Sequence, residues 1–193
     1  MCKFRNTYRI PSARLQSWAY GWNGSYFVTI CTNGRQCYFG DILYGKMKYS
    51  AIGEIAHNCW LETFNHFPFV TLDVFVVMPN HLHGILILTG NDNDPVETTH
   101  ALSLQKTITQ SNQSIGEKRF QNQGKNTISS IIGSYKSAVS KHTHRLGFDF
   151  TWQPRFYDHI IRNDKSYQAI AEYIIHNPLK WENDTFNPSV QNY

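Results

Sequence analysis

Val70-Thr71-Leu72-Asp73-Val74-Phe75-Val76-Val77-Met78-Pro79-Asn80-His81-Leu82-His83-Gly84-Ile85-Leu86-Ile87-Leu88 is the stretch on which the fold turns. Two apolar runs, Val70 to Met78 and Leu82 to Leu88, are broken by Pro79-Asn80. Proline cannot donate to a sheet ladder, so the break predicts the turn of an antiparallel hairpin. Upstream, Ser25-Tyr26-Phe27-Val28-Thr29-Ile30-Cys31-Thr32 is β-branched and aromatic and predicts a strand, with Asn33-Gly34 as the turn after it. Between them, Ser50 to Phe64 sets Ile52, Ile55, Ala56, Cys59, Trp60 and Thr63 at helical spacing, with Ser50 as the N-cap. Downstream, Thr127 caps a helix to about Arg145 whose apolar side carries Ile128, Ile131, Ile132, Tyr135, Ala138 and Val139. Phe150 to Ile161 reads as a strand region, and Asp164 or Ser166 opens a last helix through His176, stopped by Pro178. Strand, helix, hairpin, helix, strand, helix predicts an α+β domain: an antiparallel sheet with helices packed mainly on one face.

The chain of 193 residues suits a single domain spanning 1–193, with two segments that break its periodicity. Residues 1–24 hold Arg5, Arg9, Arg14, Trp18, Tyr20 and Trp22 and read as an extended basic-aromatic arm. Residues 89–126 fill with Asn, Gln, Ser, Thr and Asp and read as a flexible insertion. No apolar run approaches the ~20 residues needed to cross a bilayer, and no signal region follows the N-terminus. A cytoplasmic protein without a membrane partner is the expectation. Cys2, Cys31, Cys37 and Cys59 show no Cys-x-x-Cys spacing, which argues against a zinc knuckle or a disulfide framework. A net charge of +4 and an aromatic content of 15% permit a nucleic-acid partner, because aromatic rings beside arginines stack on unpaired bases.

The chemistry concentrates in two places. His81 and His83, two apart on a strand, point to one face at roughly 6–7 Å and can converge on one divalent metal, while Leu82 faces the core. Tyr173 and Asn177, four apart on the last helix, share a face about 6 Å apart along its axis. Each pair has a plainer reading: hydrogen-bonded histidines, and a half-buried tyrosine with Asn177 capping the helix before Pro178. Together they supply more. Two imidazoles and an amide oxygen are three neutral ligands, so the cation keeps its Lewis acidity toward a phosphodiester. A tyrosine, with an unperturbed pKa of ~10, needs such a neighbour to attack at neutral pH. The product would be a phosphotyrosine whose phenolate leaves readily, so the step can reverse without ATP. Tyr135 is a second candidate nucleophile beside Lys136, but its spacing puts it on the core side and no amide stands four residues on.

These residues resemble the single-tyrosine, His-hydrophobe-His transposases of small bacterial insertion sequences, and most closely the REP-associated tyrosine transposases. The resemblance runs nearly end to end. It is carried by Ser12-Ala13-Arg14-Leu15, Tyr26-Phe27-Val28-Thr29-Ile30, Val76-Val77-Met78-Pro79-Asn80-His81-Leu82-His83-Gly84 and Ser134-Tyr135-Lys136-Ser137. It continues through Trp152-Gln153-Pro154-Arg155-Phe156-Tyr157-Asp158-His159-Ile160-Ile161-Arg162 and Tyr173-Ile174-Ile175-His176-Asn177-Pro178. It implies a ferredoxin-like fold, Mg²⁺ or Mn²⁺ as cofactor, and cleavage of single-stranded hairpin or palindromic DNA through a 5′-phosphotyrosine. His81 and His83 match the histidine ligands, Tyr173 the nucleophile, and Asn177 a position where insertion-sequence members often carry glutamine.

Arg14, Lys136, Arg155 and Arg162 are candidates for phosphate contacts, and Trp152, Phe156 and Tyr157 for base stacking, with core packing the plainer fate of at least two of those rings. Asp158 and His159 are candidates for supporting or proton-transfer roles. A homodimer stays open, since insertion-sequence relatives exchange the tyrosine helix between two chains. The alternative functions are a rolling-circle initiator or relaxase, which share the chemistry, and a non-catalytic hairpin-binding protein derived from a transposase.

Overall fold

The structure, a computed structural model, describes residues 23–89 and 126–190, together with the backbone of a short antiparallel ladder between β1 (Lys3–Phe4) and β2 (Thr7–Tyr8). Arg14, with the rest of 1–22 beyond that ladder, and all but the ends of 89–126 lie outside the described residues.

One four-stranded antiparallel sheet organises the rest. Its strands are β3 (Gly24–Cys31), β6 (Val70–Met78), β7 (His81–Leu88) and β8 (Tyr157–Ile161), in the order β6-β7-β3-β8. β6 and β7 form the expected hairpin, with Met78 opposite His81 and only Pro79-Asn80 between them. β3 pairs with β7 from Gly24 opposite Leu88 to Cys31 opposite His81. Strand alternation then sorts the two faces. Tyr26, Val28, Ile30, Leu82 and Leu86 point to one; Phe27, Thr29, His81, His83 and Ile85 point to the other.

The first face carries the main core. α1 (Ala51–Leu61) lies there against α3 (Ile128–Arg145), with Trp60, Ile131, Ile132, Tyr135 and Val139 buried on the sheet. Burying each such side chain contributes about 1.5–3 kcal/mol. Ser50 caps α1 by accepting from the Gly53 amide, and Thr127 caps α3 in a reciprocal pair with Ser130. Both caps are where the sequence puts them. The predicted helix to Phe64 breaks at Glu62, and a single turn, α2 (Thr63–His66), follows.

The second face is covered by α4 (Asp164–His176), which buries Ile174 against Ile85 and Ile161. Two long helices thus share one face and the last lies across the other. Asn163 caps α4 by accepting from the Ser166 amide at 2.8 Å, one residue before the predicted opening. A 3₁₀ segment, Pro178–Asn183, and a short turn at Pro188–Val190 follow.

Two expectations are corrected. The strand region at 150–161 is β8 alone plus one bridge between Trp152 and Thr32, because Pro154 cannot extend a ladder and Trp152 turns into the core. The stretch after Asn33-Gly34 also holds a small hairpin, β4 (Gly40–Leu43) with β5 (Lys46–Tyr49). Its turn is Tyr44-Gly45, with φ of 52° and 71°, a left-handed pair in which tyrosine stands where asparagine or aspartate would have signalled a turn.

Candidate active site

The site is built on the second face, at the end of β7 beside the two-residue turn. His83 lies opposite Thr29 on β3 and Val76 on β6; His81 lies opposite Cys31 and Met78. Both histidines are buried, and their ring centres are 4.5 Å apart. Each imidazole is held through Nδ1: His81 by the Asn80 side-chain oxygen at 2.8 Å, His83 by the Thr29 hydroxyl at 2.8 Å. The Phe27 ring stacks on His83 at 5.4 Å. Leu82, between them, is buried in the main core.

α4 brings the other half. Its last turns lay Tyr173 over the histidines, so that the Tyr173 hydroxyl lies 3.1 Å from His83 Nε2. Tyr173 is 40% exposed, whereas Asn177, one turn on, is 1% exposed. Asn177 has helical backbone angles (φ −59°, ψ −42°), so it is no left-handed cap; the chain runs on into the 3₁₀ turn. The structure therefore gathers His81, His83 and Tyr173 at one place, with the Asn177 side chain against Tyr173 from one turn on, all from one chain.

Two buried acceptors there have no hydrogen-bond partner: His81 Nε2 and Asn177 Oδ1. Leaving one such group unsatisfied costs about 1–3 kcal/mol, a cost that an ordered water or a bound ligand relieves. With His83 Nε2 they form two nitrogens and one oxygen, a donor set that fits a divalent cation with positions left for water and phosphate oxygens. Among the described residues no group of three His, Cys, Asp or Glu side chains competes for that role. Burial holds His83 at about 3. It also holds His81 well below the usual histidine range, with His83 and Arg35 pushing the same way. Both rings are thus neutral, the form that binds metals. The Tyr173 hydroxyl is raised above its ordinary value by burial and then by Asp184, with the Asn177 side chain opposing. Unaided, it stays a phenol.

A cleft of about 420 Å³ opens beside this cluster, walled by Phe27, Thr29, His83, Arg155, Tyr157 and Tyr173. Of the predicted DNA contacts, Arg155 and Tyr157 stand exposed on its wall. Arg162 is exposed just past the end of β8 and does not line the cleft. Lys136 and Trp152 are occupied with each other's surroundings: the Lys136 ammonium donates to the Gln153 carbonyl, and the Trp152 indole donates to the Lys136 carbonyl at 3.1 Å. Trp152 and Phe156 pack against the main core. Asp158 shares the main-core face with Val28, and His159 is exposed on the site face opposite Phe27. Tyr135 is buried in the main core, its hydroxyl donating to the Ala56 carbonyl at 3.1 Å and held well above its ordinary value by that burial.

Sequence reasoning passed over four contributors. Thr29 orients His83, and Asn80, read as a turn residue and part of the motif but given no role, orients His81. Phe186 lays its ring 4.6 Å from His81, and Arg35 sits 4.7 Å over Phe186 while donating to the Thr185 carbonyl at 2.9 Å. The only signals were a polar Thr29 inside an apolar strand and an asparagine directly before the first histidine. Arg35 and Phe186 have no local signal.

No family model matches the chain. It is 37% identical over 178 residues to an uncharacterised protein of Haemophilus influenzae (strain ATCC 51907 / DSM 11121 / KW20 / Rd), covering 90% of each. It is 23% identical over 157 residues to a REP-associated tyrosine transposase of Escherichia coli (strain K12), covering 81% of this chain and 67% of that one. A putative REP-associated tyrosine transposase of the same Haemophilus strain is 25% identical over 158 residues, 81% of this chain and 71% of that one. In fold, the chain is similar to a REP-associated tyrosine transposase solved with a REP hairpin, at a TM-score of 0.55 and 21% identity, over 89% of this chain and 74% of that one.

Proposed function

The chain belongs to the family of REP-associated tyrosine transposases, and from that premise we propose that it cleaves and rejoins single-stranded DNA of hairpin or palindromic form through a covalent bond to Tyr173. The observation that carries the proposal is the Tyr173 hydroxyl at 3.1 Å from His83 Nε2, beside two buried acceptors without partners. A relative in fold holds a REP hairpin, which supports the choice of substrate class.

His81, His83 and Asn177 would hold Mg²⁺ or Mn²⁺, which when bound supplies Lewis acidity toward a phosphodiester oxygen. The rest falls to the chain. α4 holds the Tyr173 phenol on the wall of the cleft, where its oxygen attacks the scissile phosphorus. The bond from phosphorus to the 3′ oxygen breaks, the phenolic proton passes through solvent to that oxygen, and the 5′ phosphate stays on Tyr173. Attack by a 3′-hydroxyl reverses the step, with the phenolate as the better leaving group. Arg155 and Tyr157 are the wall against which the strand would lie, with Arg162 on the same edge for a neighbouring phosphate. Lys136 and Trp152 do not line the cleft and take no part in this reading.

A labelled hairpin oligonucleotide with Mn²⁺ tests this. Wild type and Tyr135→Phe should form a covalent protein–DNA adduct, whereas Tyr173→Phe should bind the hairpin and form none. An adduct mapped by mass spectrometry to Tyr135 would overturn the nucleophile. Full nicking by a His81→Ala, His83→Ala double variant in EDTA would overturn the metal.

A further inference from the structure

We propose that Asn80 is a positioning residue that fixes His81 in the tautomer protonated at Nδ1, so that the bare Nε2 is the nitrogen offered to a cation. The proposal rests on reading His81 as a metal ligand. Asn80 is buried in the two-residue turn between β6 and β7. Its amide nitrogen donates to two backbone carbonyls, Arg35 at 2.9 Å and Phe186 at 2.7 Å. Both amide hydrogens are thereby used. Its oxygen can only accept, and it lies 2.8 Å from His81 Nδ1.

The amide cannot be turned over. That would set its oxygen against two carbonyl oxygens and leave both carbonyls without a donor. An acceptor-only oxygen at hydrogen-bond distance requires a proton on His81 Nδ1. A neutral imidazole carries one N–H, so Nε2 is left as a lone pair, and Nε2 is the buried atom without a partner. His83 is different: the Thr29 hydroxyl beside its Nδ1 can donate or accept, so that contact dictates no tautomer.

The carbonyls that orient Asn80 come from distant segments. Gly34 (φ 59°) and Arg35 (φ 54°) are consecutive left-handed residues, a conformation side-chain-bearing residues seldom adopt, and they sit where the Arg35 carbonyl meets Asn80. Phe186 brings the second carbonyl from beyond the 3₁₀ turn. A backbone contact on each side of the turn thus sets the side chain that sets the histidine, the outer-shell arrangement that tunes metal sites.

Two measurements test this, on wild type and Asn80→Ala. In the metal-free protein labelled with ¹⁵N at histidine, long-range ¹H–¹⁵N spectra report which His81 nitrogen carries the proton. Wild type should show Nδ1–H. Asn80→Ala should move to the Nε2–H form that free imidazole favours. By calorimetry with Mn²⁺, Asn80→Ala should bind about 10–100-fold more weakly. A wild-type His81 protonated at Nε2 overturns the proposal even if the variant misfolds. So does a folded Asn80→Ala that keeps either the wild-type tautomer or the wild-type affinity. A wild-type protein that binds no Mn²⁺ at all overturns the metal reading together with this one, whereas affinity insensitive to Asn80 overturns this one alone.

Discussion

Acid should destabilise the metal-free protein through its histidine pair. His83 is 2% exposed and held at about 3 against an ordinary 6.5, because burial disfavours the imidazolium. The unfolded chain releases that ring to water, where it takes a proton near 6.5. Between the two values the unfolded state binds more protons than the folded one, so stability must fall as pH falls. The contribution is fully present above about 6.5 and is lost progressively down to about 3. At about 1.4 kcal/mol per tenfold it reaches about 5 kcal/mol at most. At about pH 5, the linkage relation gives a loss of about 2 kcal/mol from His83 alone, relative to about pH 8. His81 shifts in the same direction and adds to it. The assay is urea unfolding in EDTA at a series of pH values, for wild type and for a His81→Gln, His83→Gln double variant. Asp, Glu and the remaining histidines titrate in both proteins, so the difference between the two profiles isolates the pair. Wild type should lose at least about 2 kcal/mol more than the double variant between about pH 8 and about pH 5. Parallel profiles would refute the claim that these imidazoles are buried and neutral.

Three further outcomes are expected. Asn177→Leu removes a buried acceptor without a partner together with the side-chain hydrogen bond to Tyr173; the two effects oppose, so the metal-free protein should stay within about 1 kcal/mol of wild type, while Mn²⁺ affinity by calorimetry collapses. Loss of the fold would show that Asn177 is a structural residue instead. Gly84→Ala would set a Cβ 2.7 Å from Trp60 Cζ2 and 3.3 Å from Phe75 Cβ in the main core, and urea melts should record a loss of about 1–3 kcal/mol; an unchanged midpoint would mean that Trp60 moves aside freely. Binding measured by fluorescence anisotropy should favour a hairpin with single-stranded flanks over a blunt duplex of equal length and weaken as salt rises, and equal affinity for the two would count against stacking at Tyr157.

Much of the architecture was legible because it is local. The two-residue break at Pro79-Asn80 between apolar runs forces a hairpin, and β-branched β3 needs a partner on each side. Ser50 and Thr127 each precede an apolar helical stripe and cap it through their own hydroxyls. The strand expected from Phe150 failed where Pro154 interrupts it, and β4–β5 escaped notice because Tyr44-Gly45 lacks the residues that usually mark a left-handed turn. Trp152 resembles a stacking ring in composition, yet an indole hydrogen bond to Lys136 and contact with the core decide its place.

The candidate site divides in the same way. Strand and helix periodicity alone determine that His81 pairs with His83 on one face and Tyr173 with Asn177 on another, since offsets of two and four residues are fixed by backbone geometry. Nothing local brings those faces together. That Tyr173 lies over His83, 90 residues away, follows from α4 crossing the sheet on the face opposite α1 and α3, held by Ile174 against Ile85 and Ile161. The second layer is further from reach. Thr29 meets His83 through strand register, and Asn80 meets Arg35 and Phe186 through chain separations of 45 and 106 residues. Sequence spacing determines which side chains share a surface; only packing decides which surfaces meet, because burial of apolar area has no address along the chain.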